Sequence, residues 1–466
     1  MNKSNTKPAK GWVLALASVA SFMVSLDSLV VTTALSTIRG DLGASIAALE
    51  WTVNAYILSF AVLLLTGAAL GDRFGRRRMF VVGLGLFIAA SAACALAGSV
   101  GWLIAARAAQ GVGAALVMPL AMALLSAAFP PEERGKALGI FSGVTGIALI
   151  AGPVVGGAVA EGLAWQWIFW INLPIGLVVI PLVLRRCPES LGPAARLDIR
   201  GLGLVTGSAF ALVWVLMRGN EVGWTSAEVI GVLLMGIVLG IAFVAWGLHG
   251  AEPMVPMRFF RAPAFASGMA ASFLFYAAMY GVLFFLPQFL QMAQGFGPLG
   301  AGWRLLPWTA TLFVFAPIGG ALVNRLGERP LVVVGLLMQA AGFAWIALVA
   351  APDLAFVDLV APLVVAGAGV SMAMPAAQNA VLGAVAASEI GKASGVFNTS
   401  RFLGGMFGIA ALVAVFAATG NVDSPEAFAA GFAPAMGMSA ALSLAGAIAA
   451  LALPRRRQLV KDRASA

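Results

Sequence analysis

Two charged side chains stand inside long apolar runs, where a charge is costly. Asp27 lies in the run at 11–35, and Arg107 lies in the run at 102–127. A carboxylate in such a run must be paired or must take up a proton, and an arginine cannot lose its charge in practice. These two residue types therefore suit proton uptake and release, with Asp27 as the proton carrier and Arg107 as its electrostatic modulator. The alternative is a static Asp27–Arg107 pair, or an Asp27 bonded to backbone, that never titrates.

The runs that hold these residues are long enough to cross a lipid bilayer. The chain of 466 residues is 61% hydrophobic and 10% charged, with a mean hydropathy of +0.98. A soluble protein needs more polar surface than this, and repeated apolar runs of about 20 residues predict membrane-spanning helices. We predict an all-α polytopic membrane protein with fourteen helices at 11–35, 51–70, 79–98, 102–127, 137–159, 166–184, 201–217, 229–248, 265–286, 305–324, 331–350, 359–383, 394–417 and 432–453.

The positions of the basic residues predict an orientation. Most of the 28 Lys and Arg fall in links on the side that holds both termini, whereas the acids outside the spans divide nine and nine between the two sides, with Asp27 left over from the total of 19. Only Arg39, Arg218 and Arg304 are placed in links on the other side. This bias is typical of cytoplasmic links, so both termini are predicted to be cytoplasmic and the net charge of +9 does not indicate nucleic-acid binding. The first run is too long for the core of a secretory signal and is interpreted as an uncleaved helix.

Two segments of the first half recur in the second half. In one, 67–77 matches 319–329 at a constant spacing, and in the other, 118–139 matches 374–395. These matches predict two parallel six-helix repeats at 1–190 and 261–466, separated by an inserted pair of helices with linkers at 191–260. Parallel repeats are a transporter architecture in which the substrate site lies near mid-membrane between the halves.

Five motifs carry a resemblance to a known family. They are LDSLVVTTAL at 26–35, GAALGDRFGRRR at 67–78, RAAQGVGAA at 107–115, AGPVVGG at 151–157 and WQWIFWINLPIG at 165–176. Together they resemble the motifs of the major facilitator superfamily, in its group of drug:proton antiporters with fourteen spans. Ala68 and Ala148 depart from the pattern at positions where the family has glycine. The tryptophans of the last motif are also suited to a belt at the membrane interface.

The resemblance implies that the link at 67–78 latches helices and gates the change between facing states. The glycines there and in the other motifs permit close helix approach, and Asp72 can cap a helix or pair with an arginine. The residues assigned to gating and to these motifs are Gly67, Gly71, Asp72, Arg73, Gly75, Arg76, Gln110, Gly111, Gly152, Pro153, Gly156, Gly157, Arg325 and Gly327.

An adaptable apolar cavity is expected for the substrate, because methionine and aromatic side chains suit varied apolar ligands. The candidate lining residues are Tyr56, Met118, Met122, Phe275, Tyr276, Met279, Tyr280, Met374, Gln378, Asn379, Asn398 and Arg401. Asp27 is the only carboxylate that we place within a span. Because no second carboxylate is placed within a span, neutral, zwitterionic or monocationic amphipaths are favoured as substrates over polyvalent cations.

The function predicted on these grounds is efflux of hydrophobic or amphipathic drugs across the cytoplasmic membrane, driven by the proton gradient without a cofactor. The expected partners are the lipid bilayer, a small amphipathic substrate and protons, with the chain acting as a monomer. Two alternatives stay open, namely a same-fold exporter or symporter of a metabolite or nutrient, and a non-transporting membrane sensor. An enzyme is not expected, because the sequence has no nucleophile–base pair or phosphate loop, and its two cysteines offer no metal spacing.

Overall fold

A computed structural model describes residues 10–192, 198–250, 253–386 and 389–454. Within these ranges every regular element is a helix, and the chain forms two compact units at 1–199 and 200–466. The first unit contains α1 (Lys10–Leu42), α2 (Ile46–Phe74), α3 (Arg76–Ala95), α4 (Val100–Ala128), α5 (Pro131–Gly162), α6 (Trp167–Trp170) and α7 (Asn172–Arg186).

The second unit begins with a pair of long helices and then repeats a six-span pattern. It contains α8 (Ile199–Val222), α9 (Ala227–His249), a 3-10 turn (Met257–Arg261), α10 (Pro263–Met292), α11 (Pro298–Arg304), α12 (Leu306–Thr309), α13 (Thr311–Leu326), α14 (Glu328–Val349), α15 (Phe356–Leu382), α16 (Ile390–Thr419) and α17 (Pro425–Ala450). The three-part division at 190 and 260 stays a prediction.

The fourteen predicted spans agree with these helices. Thirteen segments among the described residues are long and apolar enough to cross a membrane, with α6 and α7 forming one of them and α11 to α13 another. The remaining long helix is α5, which has 32 residues. The predicted all-α polytopic fold is confirmed.

The ends of several helices differ from the prediction. The first helix continues to Leu42 instead of ending at 35, and the second begins at Ile46 instead of 51 because Ser45 caps it by accepting a hydrogen bond from the backbone N–H of Ala48 at 3.2 Å. The sixth predicted span breaks at Ile171, and the tenth begins at Pro298 with two short helices.

The earlier start of α2 overturns one conclusion from the sequence. It places Glu50 inside a spanning helix, where its side chain is fully buried, so Asp27 is not the only carboxylate within a span. Oε1 of Glu50 accepts a hydrogen bond from Asn54 at 2.9 Å, while Oε2 has no hydrogen-bond partner within the described ranges. A second buried carboxylate within a span removes the reason for expecting polyvalent cationic substrates to be disfavoured.

The two halves share one local geometry at the recurring link. Gly75 ends α2 and begins α3 with φ 107°, and Gly327 ends α13 and begins α14 with φ 85°. Both angles lie in the region that favours glycine, so each repeat needs glycine at this turn. The match between 67–77 and 319–329 therefore corresponds to the same helix–glycine–helix turn in both units.

Candidate functional site

Asp27 lies near the middle of α1 in a fully enclosed polar cluster. Its side chain and that of Arg107 each keep only 1% of their surface exposed. Oδ2 accepts a hydrogen bond from Nη1 of Arg107 at 2.5 Å, and Oδ1 accepts from Nε2 of Gln110 at 2.8 Å and from Nδ2 of Asn172 at 2.9 Å. Both oxygens thus accept hydrogen bonds, three in all, from side chains of α4 and α7.

Arg107 is held by more than its ion pair. Its Nε donates to the carbonyl oxygen of Thr52 at 3.2 Å, and its Nη1 also donates to Oε1 of Gln110 at 2.7 Å. The guanidinium lies 4.2 Å from the ring centroid of Tyr56 and 5.7 Å from that of Phe169, so aromatic faces cover it. The pairing of Asp27 with Arg107, expected from residue types alone, is present.

Small residues bring the helices of this cluster close together. A Cβ added to Gly111 of α4 would lie 2.4 Å from the carbonyl oxygen of Tyr56 in α2. On α5, a Cβ added to Gly152 would lie 2.6 Å from Cβ of Leu29, and one added to Gly156 would lie 2.5 Å from the carbonyl oxygen of Val30. Pro153 and Gly157 are buried on the same helix. The predicted packing role of the AGPVVGG motif fits this geometry, since it packs beside Asp27 on α1.

Three partners of the cluster were not selected from the sequence. Asn172 begins α7 and donates both to Asp27 and to Oγ of Ser91 at 2.9 Å, while Thr52 supplies a backbone oxygen that no sequence pattern reports. The signal for Asn172 was present in the WQWIFWINLPIG motif, whose tryptophans were interpreted as an interfacial belt. That interpretation is wrong for Trp165, which is 2% exposed and donates to Asp41 at 2.7 Å, whereas Trp167 is exposed.

The link between α2 and α3 forms a second polar cluster with the segment that follows α7. Oδ1 of Asp72 accepts from Nε and Nη2 of Arg76, each at 2.8 Å. The carboxylate of Glu189 accepts from the backbone N–H groups of Arg77 at 2.9 Å and Arg78 at 3.2 Å. It therefore satisfies free N–H groups in the first turn of α3, where the helix dipole favours an anion.

The same segment is held at two further points. Nη1 of Arg77 donates to the carbonyl oxygen of Cys187 at 3.1 Å, and the backbone N–H of Gly192 donates to the carbonyl oxygen of Asp72 at 3.1 Å. The predicted latch residues Gly67 and Gly71 allow α2 to lie against α4, since a Cβ on either would collide with Ala115 or Leu120. Arg73, in contrast, is exposed, as is Arg325 in the second unit.

Comparison with known proteins identifies the family. The sequence profile of the Major Facilitator Superfamily matches residues 17–409. The chain belongs to the Major Facilitator Superfamily. It is therefore a multi-pass membrane protein of a family that transports small substrates, and the family resemblance drawn from the five motifs is confirmed.

Individual members of the superfamily share about a third of their residues with this chain. The Multidrug resistance protein Stp of Mycobacterium tuberculosis is 35% identical over 400 residues, covering 85% of this chain and 74% of the relative. The Tetracenomycin C resistance and export protein of Streptomyces glaucescens is 33% identical over 456 residues, covering 96% and 84%. The Cephamycin export protein CmcT of Amycolatopsis lactamdurans is 35% identical over 451 residues, covering 95% and 92%.

Solved structures of more distant proteins share the fold. A bacterial homologue of the human lysosomal transporter Spinster, inward-facing and unoccupied, aligns with a TM-score of 0.69 at 18% identity, covering 98% of this chain and 99% of its own. The peptide transporter POT in complex with sulfate aligns with a TM-score of 0.69 at 17% identity, covering 95% and 94%. At these identities the likeness concerns the fold alone.

The predicted cavity residues of this superfamily member fall into two groups. Tyr56, Phe275, Tyr276 and Met279 are buried, and Tyr56 serves as a cover for Arg107. The others keep exposed surface to differing degrees, and they are Met118, Met122, Tyr280, Met374, Gln378, Asn379, Asn398 and Arg401. Their role in lining a substrate cavity stays a prediction.

Replacing Gly75 with alanine is expected to destabilise the protein by about 1–3 kcal/mol. The substitution forces an L side chain into φ 107° and places a Cβ 2.9 Å from Cδ of Glu189, which caps α3. Thermal unfolding of the purified protein in detergent measures the loss. Gly85→Ala is the matched control, because Gly85 lies within α3 with open space around it and should lose nothing. Equal unfolding temperatures for the two variants would contradict the prediction.

Replacing Glu189 with glutamine is expected to loosen the segment at 187–192 from α3. Burial raises the pKa of the Cys187 thiol to about 11, and the nearby Arg77 opposes part of that rise. The buried thiol therefore reacts slowly with maleimide until the segment at 187–192 opens, so the labelling rate reports that opening. The variant should label about tenfold faster, since it loses a charge-assisted cap.

The labelling experiment has two controls. A Cys94→Ser background leaves Cys187 as the one remaining cysteine of the two in the chain. Glu133→Gln removes an exposed ion pair with Lys10 and should leave the labelling rate unchanged. An unchanged rate in Glu189→Gln would show that the carboxylate does not hold the segment.

Proposed function

We propose that this chain is a proton-coupled exporter of hydrophobic or amphipathic small molecules, with Asp27 as the proton-carrying group. The observation that carries the proposal is the enclosed carboxylate of Asp27, which accepts hydrogen bonds from α4 and α7 at both oxygens. Protonation would remove the negative charge that these three donors share, so each hydrogen bond to Asp27 would weaken. Proton uptake thereby couples to movement of α1 relative to α4 and α7.

Arg107 supplies the opposing charge in this cycle. With Asp27 ionised, the Asp27–Arg107 pair has no net charge and its hydrogen bond is formed. With Asp27 protonated, the guanidinium is left with the carbonyl oxygen of Thr52, with Gln110 and with the rings of Tyr56 and Phe169. A buried cation without its anion is costly, which favours a conformation that admits water or an anion. One proton moving down 100 mV supplies about 2.3 kcal/mol, enough to bias such a change strongly.

Export is favoured over import by the relatives. Several are named as resistance or export proteins, including the tetracenomycin C and cephamycin proteins and a Methylenomycin A resistance protein of Streptomyces coelicolor. We further propose that both termini are cytoplasmic, that the chain works as a monomer without a cofactor, and that the Asp72–Arg76 and Glu189 contacts latch one state of the cycle. Import of a nutrient and a sensor without transport are the competing functions.

Transport by proteoliposomes with an imposed pH gradient tests the proposal. Purified protein is reconstituted, and a panel of fluorescent amphipaths with negative, zero and positive charge is followed across the membrane. We expect accumulation on the acidic side that ceases when an ionophore collapses the gradient. Movement in the opposite direction would support import, and no gradient-driven movement of any probe would contradict proton-coupled export.

A further inference from the structure

Arg401 is a charged side chain that the mechanism above does not use. It lies about three turns into α16, a helix of 30 residues, and therefore deep within the span. The residue is partly exposed, but its Nε is buried and has no hydrogen-bond partner among the residues that the structure describes. A guanidinium keeps its charge in proteins, so at this depth it needs an anion or water.

The surroundings of Arg401 are aromatic and are fixed by close packing of α10 against α16. The guanidinium lies 4.8 Å from the ring centroid of Tyr276 and 5.2 Å from that of Phe402, and it is hydrogen-bonded to the side chain of Tyr280. A Cβ added to Gly405 would lie 2.8 Å from the ring of Tyr280, and one added to Gly408 would collide with the backbone of Ala277. The rings of Tyr276 and Phe402 thus attract the cation through their faces, and the close packing of α10 against α16 limits the movement of Tyr280.

Comparison with Arg107 shows what this site lacks. Both arginines lie in spanning helices and both have aromatic neighbours, but Arg107 also has the carboxylate of Asp27. In the described part of the chain, none of the ion pairs within 4.0 Å includes Arg401. Aromatic faces offset only a small part of the cost of a buried cation, since a cation–π contact contributes about 0.5–2 kcal/mol. The positive charge of Arg401 is not neutralised by the described residues.

We propose that Arg401 binds the acid group of the exported molecule, so that the substrates include amphipaths that carry an ionised carboxylate or phenolate on an apolar body. The inference rests on the proposed function and narrows its substrate class. Tyr280, which is partly exposed beside Arg401, is placed to donate a hydrogen bond to the same anion. Acidic amphipaths replace the neutral to monocationic ones expected from the sequence, an expectation that depended on Asp27 being the only carboxylate within a span.

The test uses three probes that share one apolar body and differ in charge. They are pyrenebutanoate, its methyl ester and pyrenebutyl-trimethylammonium. The full chain is placed in nanodiscs of phosphatidylcholine, which bring no anionic lipid, and binding is read from energy transfer between its 12 tryptophans and pyrene. The parent is compared with Arg401→Gln, Arg401→Lys and the control Arg304→Gln, whose arginine also lies over an aromatic ring, that of Phe296.

The parent is expected to bind pyrenebutanoate about tenfold more tightly than the ester, as one charge-assisted hydrogen-bonded pair would give. Arg401→Gln should remove that preference while changing ester affinity less than about twofold, and Arg401→Lys should keep part of it because lysine lacks the planar fork. Arg304→Gln should match the parent. A parent without preference for the acid, or an Arg401→Gln variant that weakens acid and ester equally, would overturn the proposal.

Transport of the same probes separates this inference from the proposed function. If the parent exports the ester under a pH gradient but shows no preference for the acid, only the role of Arg401 is wrong. If it binds the acid through Arg401 but exports none of the three probes, anion recognition stands and the export function is wrong.

Discussion

Replacing Asp27 with asparagine is expected to reduce export driven by a pH gradient to the level of protein-free liposomes. Asparagine has nearly the same shape, and its oxygen can still accept from Gln110 or Asn172, but its amide cannot take up and release a proton. Exchange of substrate across the membrane at equal concentrations requires no net proton movement, so the variant should retain it. Gradient-driven uptake and equilibrium exchange in the same proteoliposomes measure the two activities.

The pattern of losses distinguishes a proton carrier from a static ion pair. If Asp27 only holds Arg107 in place, the substitution should damage both activities together or neither. Asp41→Asn is the matched control, because Asp41 lies on the same helix and accepts from Trp165 through an oxygen that asparagine retains. A variant that exports as well as the parent under the gradient would show that the proton is carried elsewhere, with the buried Glu50 the next residue to replace.

The architecture of this chain could be predicted because its signals are strong and local. Apolar runs of membrane length report the spans because a bilayer requires about 20 apolar residues for each, and the recurring glycine link reports the same helix–glycine–helix turn in both halves. Arg107 and Gln110 both belong to the RAAQGVGAA motif, and residues three apart lie on one face of a helix. Their contacts with Asp27 confirm that this face turns towards α1.

The features that the sequence did not predict correctly were missed for different physical reasons. Glu50 was placed outside the membrane because hydropathy falls at a carboxylate, whereas the end of α2 is set by the cap at Ser45. Asn172 and Glu189 act on residues more than 100 positions away, and only the packing of α7 against α1 and α3 brings them there. Long-range polar partners depend on tertiary structure, and helix ends depend on caps that hydropathy does not report, so hydropathy and motifs report both weakly.

Replacing Arg107 with glutamine is expected to destabilise the protein by about 3–5 kcal/mol, because it leaves the carboxylate of Asp27 buried without its cation. The remaining donors, Gln110 and Asn172, are neutral and are weaker partners than a guanidinium. Thermal unfolding of the purified protein in detergent measures the effect. Arg78→Gln is the control, since the side chain of Arg78 is 73% exposed and its loss should change little.

The double variant with Asp27→Asn and Arg107→Gln shows whether the pair acts as one unit. If each partner is costly only when the other is left alone, the double variant should be more stable than Arg107→Gln, and the two single losses should not add. Additive losses would contradict a direct coupling between the two charges. A double variant that folds well and still exchanges substrate, yet exports nothing under a pH gradient, would assign the pair to energy coupling. The charges of Asp27 and Arg107 would then be needed to drive transport and not to hold α1, α2, α4 and α7 together.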